Sequence, residues 1–177
     1  MKKPNLLITG LPGTGKTTLI ARFVQRLRDM KIAGFYTAEI REGESRKGFE
    51  IVDLRGERVI LSHVDIRGSQ RVGKYGVDVA GFEQYLETVP FFSAGTDLVI
   101  IDEIGKMECL SMKFRRIVLD LLDAPVTVVA TIALHGGGII DSIKARPDVH
   151  LYELTRENRK NLLVEIEMAA KVAPISC

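Results

Sequence analysis

Eight consecutive residues, Gly10-Leu11-Pro12-Gly13-Thr14-Gly15-Lys16-Thr17, have the types and spacing of a Walker A loop. Glycines so placed let a chain wrap a phosphate with its backbone N–H groups. A helix starting at the end of the run adds unpaired donors and a favourable dipole. In such a loop Lys16 reaches the β- and γ-phosphates of a nucleotide and the Thr17 hydroxyl ligates Mg²⁺. The predicted phosphate-binding set is therefore Gly10, Leu11, Pro12, Gly13, Thr14, Gly15, Lys16, Thr17 and Thr18. The flanks agree, with apolar Leu6 to Thr9 reading as a buried strand and Thr17 to Met30 as an amphipathic helix.

Such a loop needs a carboxylate at the end of a neighbouring strand to hold Mg²⁺. Leu98-Val99-Ile100-Ile101 supplies the strand and Asp102 the acid, so Thr17 and Asp102 are the predicted metal residues. Glu103 follows at once, and successive side chains on a strand point in different directions. One acid can then face the metal while Glu103 faces a water near the γ-phosphate. That pairing favours attack by water over transfer to an acceptor.

Positive charge around departing phosphates also assists such chemistry. Lys106 and Arg71 are the predicted contributors beside Lys16 and Glu103, with Arg67 and Lys74 in the same glycine-containing stretch as Arg71. Arg156 and Arg159 could stack on a base or touch phosphate, and salt bridges are an equal reading. Thr131 is placed to sense phosphate or water. His135 precedes Gly136-Gly137-Gly138, a loop by composition, and lacks partners at metal-ligand spacing.

The elements positioning these residues alternate between strand and helix, which predicts a three-layer α/β/α domain with a largely parallel central sheet. Ile32 to Ile40 reads as a strand and Arg41 to Lys47 as a charged turn. Phe49 to Leu54, a turn at Arg55-Gly56-Glu57, and Arg58 to Leu61 read as an inserted β-hairpin. Residues 62 to 77 show no clean period and read as a long functional loop. Asp78 caps a predicted helix toward Val89, Ser111 to Leu122 is another, and Thr155 caps the last, with Leu162, Leu163, Ile166 and Ala170 inward. Val126 to Ala130 and Val149 to Leu154 complete the strands.

With 177 residues and no internal repeat or long linker, residues 1–177 are expected to form one domain. Hydrophobic residues make up 46% and charged residues 27%, the balance of a chain that folds rather than stays disordered. A net charge of +2 gives no reason to expect nucleic acid or an anionic membrane. The first apolar run is too short for a signal peptide or a spanning helix. Cys109 and Cys177 make neither a disulfide framework nor a metal set. The expectation is a cytoplasmic protein with reduced thiols, and nothing requires a partner, so it reads as a monomer.

Laid out this way, the chain resembles the THEP1-like nucleoside-triphosphatase family, whose eukaryotic members include the cancer-related nucleoside-triphosphatase. The resemblance spans nearly the whole chain. It rests on Ile8 to Thr18, Gly34 to Glu39, Gly73 to Val77, Ile101 to Glu108, Val129 to Ile132 and Leu154 to Arg159. It implies a RecA-like P-loop domain and Mg²⁺-dependent hydrolysis of nucleoside triphosphates, with broad base tolerance and slow turnover. Lys16, Thr17, Asp102 and Glu103 fall on the matching motif positions. Two rivals stay open: a nucleotide or small-molecule kinase using residues 62 to 77 as a lid, and a nucleotide-gated RNA-associated module. The second draws on Arg41, Arg46, Lys47, Arg55, Arg58, Arg67, Arg71 and Lys74, a basic series interrupted by acids.

Overall fold

The computed structural model describes residues 3–27 and 29–170. Strand β1 (Asn5–Thr9) leads through the glycine-rich loop into helix α1 (Lys16–Gln25). Strands β2 (Ile32–Glu42), β3 (Ser45–Asp53), β4 (Arg58–His63), β5 (Arg71–Val72) and β6 (Tyr75–Val77) follow, then α2 (Val79–Thr88). Strand β7 (Leu98–Ile104), a single 3-10 turn at Glu108–Leu110, α3 (Met112–Asp123) and β8 (Thr127–Ile132) come next. Helix α4 (Gly138–Lys144), β9 (Val149–Glu153) and α5 (Arg159–Ala169) end the described chain. Cys177 lies outside the described residues.

All nine strands form one sheet in the order β5-β6-β4-β3-β2-β7-β8-β1-β9. The expectation of a largely parallel sheet is corrected here. β2–β7, β7–β8, β8–β1 and β1–β9 are parallel, while β2–β3, β3–β4, β4–β6 and β6–β5 are antiparallel. Parallel neighbours need long crossovers, whereas tight turns return a chain beside itself in the opposite sense. Between residues 42 and 77 the turns at Gly43-Glu44, 54–57 and Gly73-Lys74 do the latter.

The insertion is accordingly larger than one hairpin. The charged stretch from Arg41 to Lys47 is strand on both sides of Gly43-Glu44, with its side chains mostly in water. Residues 62–77 are not one loop, since they hold the end of β4 and the β5–β6 hairpin. The lack of a period and the glycine content suggested a loop, but pairing of Ser62 with Val77 and of His63 with Gly76 supplies the backbone partners.

Helices cover both faces of the sheet. Leu6, Ile8, Leu98, Ile100 and Val129 pack with residues of α1 and α5, while Leu7, Val99, Ile101, Val128 and Ala130 pack with α2, α3 and α4. Successive strand residues face opposite layers, so Leu6 to Ile8 of β1 and Leu98 to Ile101 of β7 are apolar without alternation. Phe35 and Phe114 flank Phe82, with ring centroids 6.0 and 5.4 Å from it.

Asp78 and Ser111 cap α2 and α3 through the N–H groups of Gly81 and Phe114. Thr155 does not cap α5. Its N–H donates to Asn158 Oδ1 and its hydroxyl accepts from the Asn158 N–H, which closes a turn and delays the helix to Arg159. Helix α1 stops at Gln25, short of the expected Met30, and the Gly136-Gly138 stretch opens α4 instead of remaining loop.

Gly34 sits on β2 opposite Ile100 of β7 with φ +127°. A Cβ there would fall 1.8 Å from the Ile100 carbonyl oxygen. Gly34→Ala is expected to cost about 3 kcal/mol or more through strain and forced separation of the strands. In a thermal melt that is a drop of roughly 6–12 °C. An unchanged midpoint would contradict this close approach.

Candidate functional site

The glycine-rich loop leaves the end of β1 and delivers Lys16 and Thr17 to the first turn of α1. Gly10, Gly13 and Gly15 have φ of +152°, +77° and +94°, a backbone that L side chains resist. Gly10 is also pressed against the chain after β9, since a Cβ would lie 2.6 Å from the Leu154 carbonyl oxygen. The Thr14 hydroxyl turns inward and donates to the Leu11 carbonyl at 2.8 Å. Leu11, Pro12 and Gly13 form the exposed crest, and Thr18 is exposed behind Thr17. The Lys16 ammonium folds back over the loop, donating to the carbonyls of Gly10 at 2.9 Å and Leu11 at 3.1 Å.

Asp102 lies across from that helix start, buried to 1% exposure. The Thr17 hydroxyl donates to its Oδ2 at 2.8 Å, and the Thr131 hydroxyl donates to Oδ1. The Thr37 N–H and hydroxyl approach Oδ2 more loosely, each at 3.4 Å. Burial pushes the Asp102 carboxyl above the usual carboxylate range, and the Thr131 and Thr17 hydroxyls oppose the shift. Among the described residues Asp102 makes no ion pair.

A buried carboxylate ringed by hydroxyls and lacking a cation suits a hard divalent ion, which prefers oxygen donors. No group of three or more His, Cys, Asp or Glu side chains that could hold a metal occurs among the described residues. Mg²⁺ does not require such a cage, because it keeps waters and takes phosphate oxygens as ligands.

The β7–β8 register breaks between Ile101 and Ile104, so Asp102 and Glu103 leave the regular ladder. Glu103 turns into a cleft of about 240 Å³ that Thr37, Phe49, Val72, Lys106 and His135 also line. Burial raises the Glu103 carboxyl, the charge of Asp102 raises it further, and Lys16 pulls the other way. Regular strand alternation was the expected cause of the divergence of the two acids; the structure places them at a break in the ladder instead.

The remaining predicted residues separate into those near the cleft and those elsewhere. Lys106 is exposed on the cleft rim beside His135. Arg71 donates to the carbonyls of Ile66 at 3.0 Å and Lys74 at 2.7 Å, so it ties the β5–β6 hairpin together while its neighbour Val72 lines the cleft. Lys74 lies over the Tyr75 ring, and Arg67 and Arg156 are exposed. Arg159 packs on the phosphate-binding loop: its Nη2 donates to the Thr14 carbonyl at 2.7 Å, and a Cβ on Gly15 would sit 3.3 Å from its Cζ.

Two residues at the site had no role in the sequence reading. Thr37 comes from β2, and only the β2–β7 pairing brings it to Asp102. Glu108 is 5% exposed next to the cleft, and sequence reading assigned it no role of its own.

A glycine-rich loop between a buried strand and a helix, joined to a buried acid of a neighbouring strand by the helix's own threonine, defines a P-loop nucleotide-binding protein. The sequence matches the family model described as NTPase over residues 5–167. It is 45% identical over 162 residues to nucleoside-triphosphatase THEP1 of Thermotoga maritima, covering 91% of this chain and 92% of that protein. Human cancer-related nucleoside-triphosphatase is 38% identical over 178 residues, covering 92% and 94%. The crystal structure of THEP1 from Aquifex aeolicus superposes with a TM-score of 0.79 at 38% identity, over 92% of this chain and 96% of that one. This chain belongs to the nucleoside-triphosphatase family.

Proposed function

We propose that this chain hydrolyses nucleoside 5′-triphosphates to diphosphates and phosphate with Mg²⁺, using Lys16, Thr17, Asp102 and Glu103. The observation carrying this reading is the 2.8 Å bond from Thr17 to Asp102, with Glu103 turned into the adjoining cleft. The loop N–H groups and Lys16 bind the β- and γ-phosphates. Bound Mg²⁺ would be held by Thr17 and Asp102 and would neutralise charge between the β- and γ-phosphoryl oxygens. Glu103 orients a water for in-line attack on the γ-phosphorus and accepts its proton, while the bond to the β-phosphate oxygen breaks and its electron pair leaves with the diphosphate. Lys106 adds positive charge from the rim, and Arg71 contributes by holding the hairpin that walls the cleft.

A cavity of about 400 Å³ beside Thr18, lined by Arg22, Arg159, Lys160 and Leu163 among others, receives the nucleoside end. Long cationic and aliphatic chains stack on any base without reading its edge, which supports broad base tolerance. No helix among the described residues is long and apolar enough to cross a membrane. The single sheet supports a reading of residues 1–177 as one domain. We read it as monomeric and cytoplasmic, in keeping with the free, buried Cys109 thiol.

The RNA-associated reading loses most of its support. Arg41 and Arg46 pair with Glu39, Lys47 with Glu42, Arg55 with Asp53 and Arg58 with Glu50, so much of the basic series is already neutralised. The test is phosphate release from ATP, GTP, CTP and UTP with no added acceptor. All four are expected to turn over with Mg²⁺, and chelation with EDTA to abolish release. Faster movement of γ-label to an added nucleoside than to water would overturn hydrolysis in favour of a kinase.

A further inference from the structure

Arg159, the first residue of α5, is half-buried against the phosphate-binding loop, and among the described residues it forms no ion pair. Its Nη2 donates to the Thr14 carbonyl at 2.7 Å, while its Nε is buried with no hydrogen-bond partner. A Cβ on Gly15 would lie 3.3 Å from Cζ, 3.4 Å from Nε and 3.5 Å from Nη2. A point so nearly equidistant from three atoms of a planar group stands over its face. A point in the plane beside Nε and Nη2 would lie clearly nearer the nitrogens than the carbon. The guanidinium therefore lies flat on Gly15, with one donor left unmet although a buried donor without a partner is costly.

Arg159 also lines the cavity of about 400 Å³ that Thr18 borders. Gly15 closes one face of the guanidinium, and among the described residues no aromatic ring covers the other, since the cation–ring contacts belong to Arg46 and Lys74. The other cations of the cavity are less well fixed: Arg22 and Lys160 are exposed, and Arg26 is paired with Glu167.

We propose that Arg159 is the platform for the nucleotide's base: the base stacks on the guanidinium face turned away from Gly15, while Nη2 stays on the Thr14 carbonyl. One side chain then braces the loop that takes the phosphates and receives the other end of the same ligand. Every base has a π-face, so the platform accepts all four. A purine covers more of the cation than a pyrimidine does, so ATP and GTP are held more tightly than CTP and UTP.

This role rests on the nucleoside end lying in that cavity, and the experiment separates the two. Phosphate release gives KM for ATP and CTP. Inorganic tripolyphosphate, which has the phosphates without a base, is titrated as a competitive inhibitor for its Ki. The proteins are wild type, Arg159→Lys, Arg159→Leu and Val164→Trp. Arg159→Lys keeps the charge and a donor for Thr14 but loses the plane. It is expected to raise KM about tenfold for ATP and about threefold for CTP, with the tripolyphosphate Ki within about twofold of wild type. Arg159→Leu should raise KM for ATP at least as far.

The proposal is overturned if Arg159→Lys leaves KM for ATP within about twofold of wild type. It is equally overturned if tripolyphosphate weakens in parallel with ATP in Arg159→Lys, because a mere brace of the loop or a phosphate contact affects both alike. KM and Ki do not depend on the folded fraction, and should Arg159→Leu not fold, Arg159→Lys decides alone. Val164 is half-exposed on the cavity wall, so Val164→Trp narrows the cavity and should raise KM for ATP without changing the tripolyphosphate Ki. If Val164→Trp changes neither, the nucleoside lies elsewhere and the placement fails together with the platform. If it raises KM while Arg159→Lys does not, the placement stands and the role of Arg159 alone is lost.

Discussion

Glu103→Gln is expected to cut phosphate release by about 10²- to 10³-fold while leaving nucleotide affinity nearly intact. The amide matches the carboxylate in size and fills the same place in the cleft, so packing around Gly105 and Glu108 survives. What it loses is the capacity to accept a proton from water as the γ-phosphorus is attacked. Glu103 is suited to that task by where it lies: half-buried, beside a fully buried acid, and within the field of Lys16. Because Asp102 and Thr17 are untouched, Mg²⁺ and triphosphate should still bind. Titration of a nucleotide into the variant, alongside a phosphate-release assay, checks both halves. A loss smaller than threefold would remove Glu103 from the chemistry.

Lys16→Ala should be the more damaging change for catalytic efficiency, lowering kcat/KM by about 10³-fold, or about 4 kcal/mol of transition-state stabilisation. The Lys16 ammonium is held by the Gly10 and Leu11 carbonyls across the loop it serves. A triphosphate offers it charged oxygens in place of neutral carbonyls, and charge-assisted bonds are roughly twice as strong. Since charge on the γ-phosphoryl oxygens changes during transfer, both kcat and affinity should suffer. Folding should suffer far less, because the lost contacts are one part-buried and one exposed bond, each worth on the order of 1 kcal/mol net. Steady-state kinetics with a thermal melt as control distinguish these effects. Retained affinity with a kcat loss under fivefold would contradict the role.

How much of this was legible in the chain differs from part to part. The glycine-rich loop, the strand before it and the start of the helix after it could be read directly, because each depends on contiguous residues and local geometry. Asp78 and Ser111 were readable as caps for the same reason. The insertion was misjudged where charge mimicked loop: Arg41, Glu42 and Lys47 lie on strands whose outer faces meet water. Thr155 looked like a cap, but its bonds with Asn158 satisfied it one turn early.

By itself, the amino-acid sequence determined the nucleotide-binding class of the chain and pointed to two adjacent acids as candidates beside the phosphates. A loop of eight residues carries its own donors, and an apolar run ending in two acids is legible wherever the strand is placed. Only the tertiary structure decided which residues complete the site. Thr37 reaches Asp102 because β2 pairs with β7, and Val72 walls the cleft because three tight turns fold β3 to β6 onto the sheet edge. Burial, too, is a property of the assembled fold: nothing local in the chain marks Glu108 as buried, yet it is 5% exposed beside the cleft.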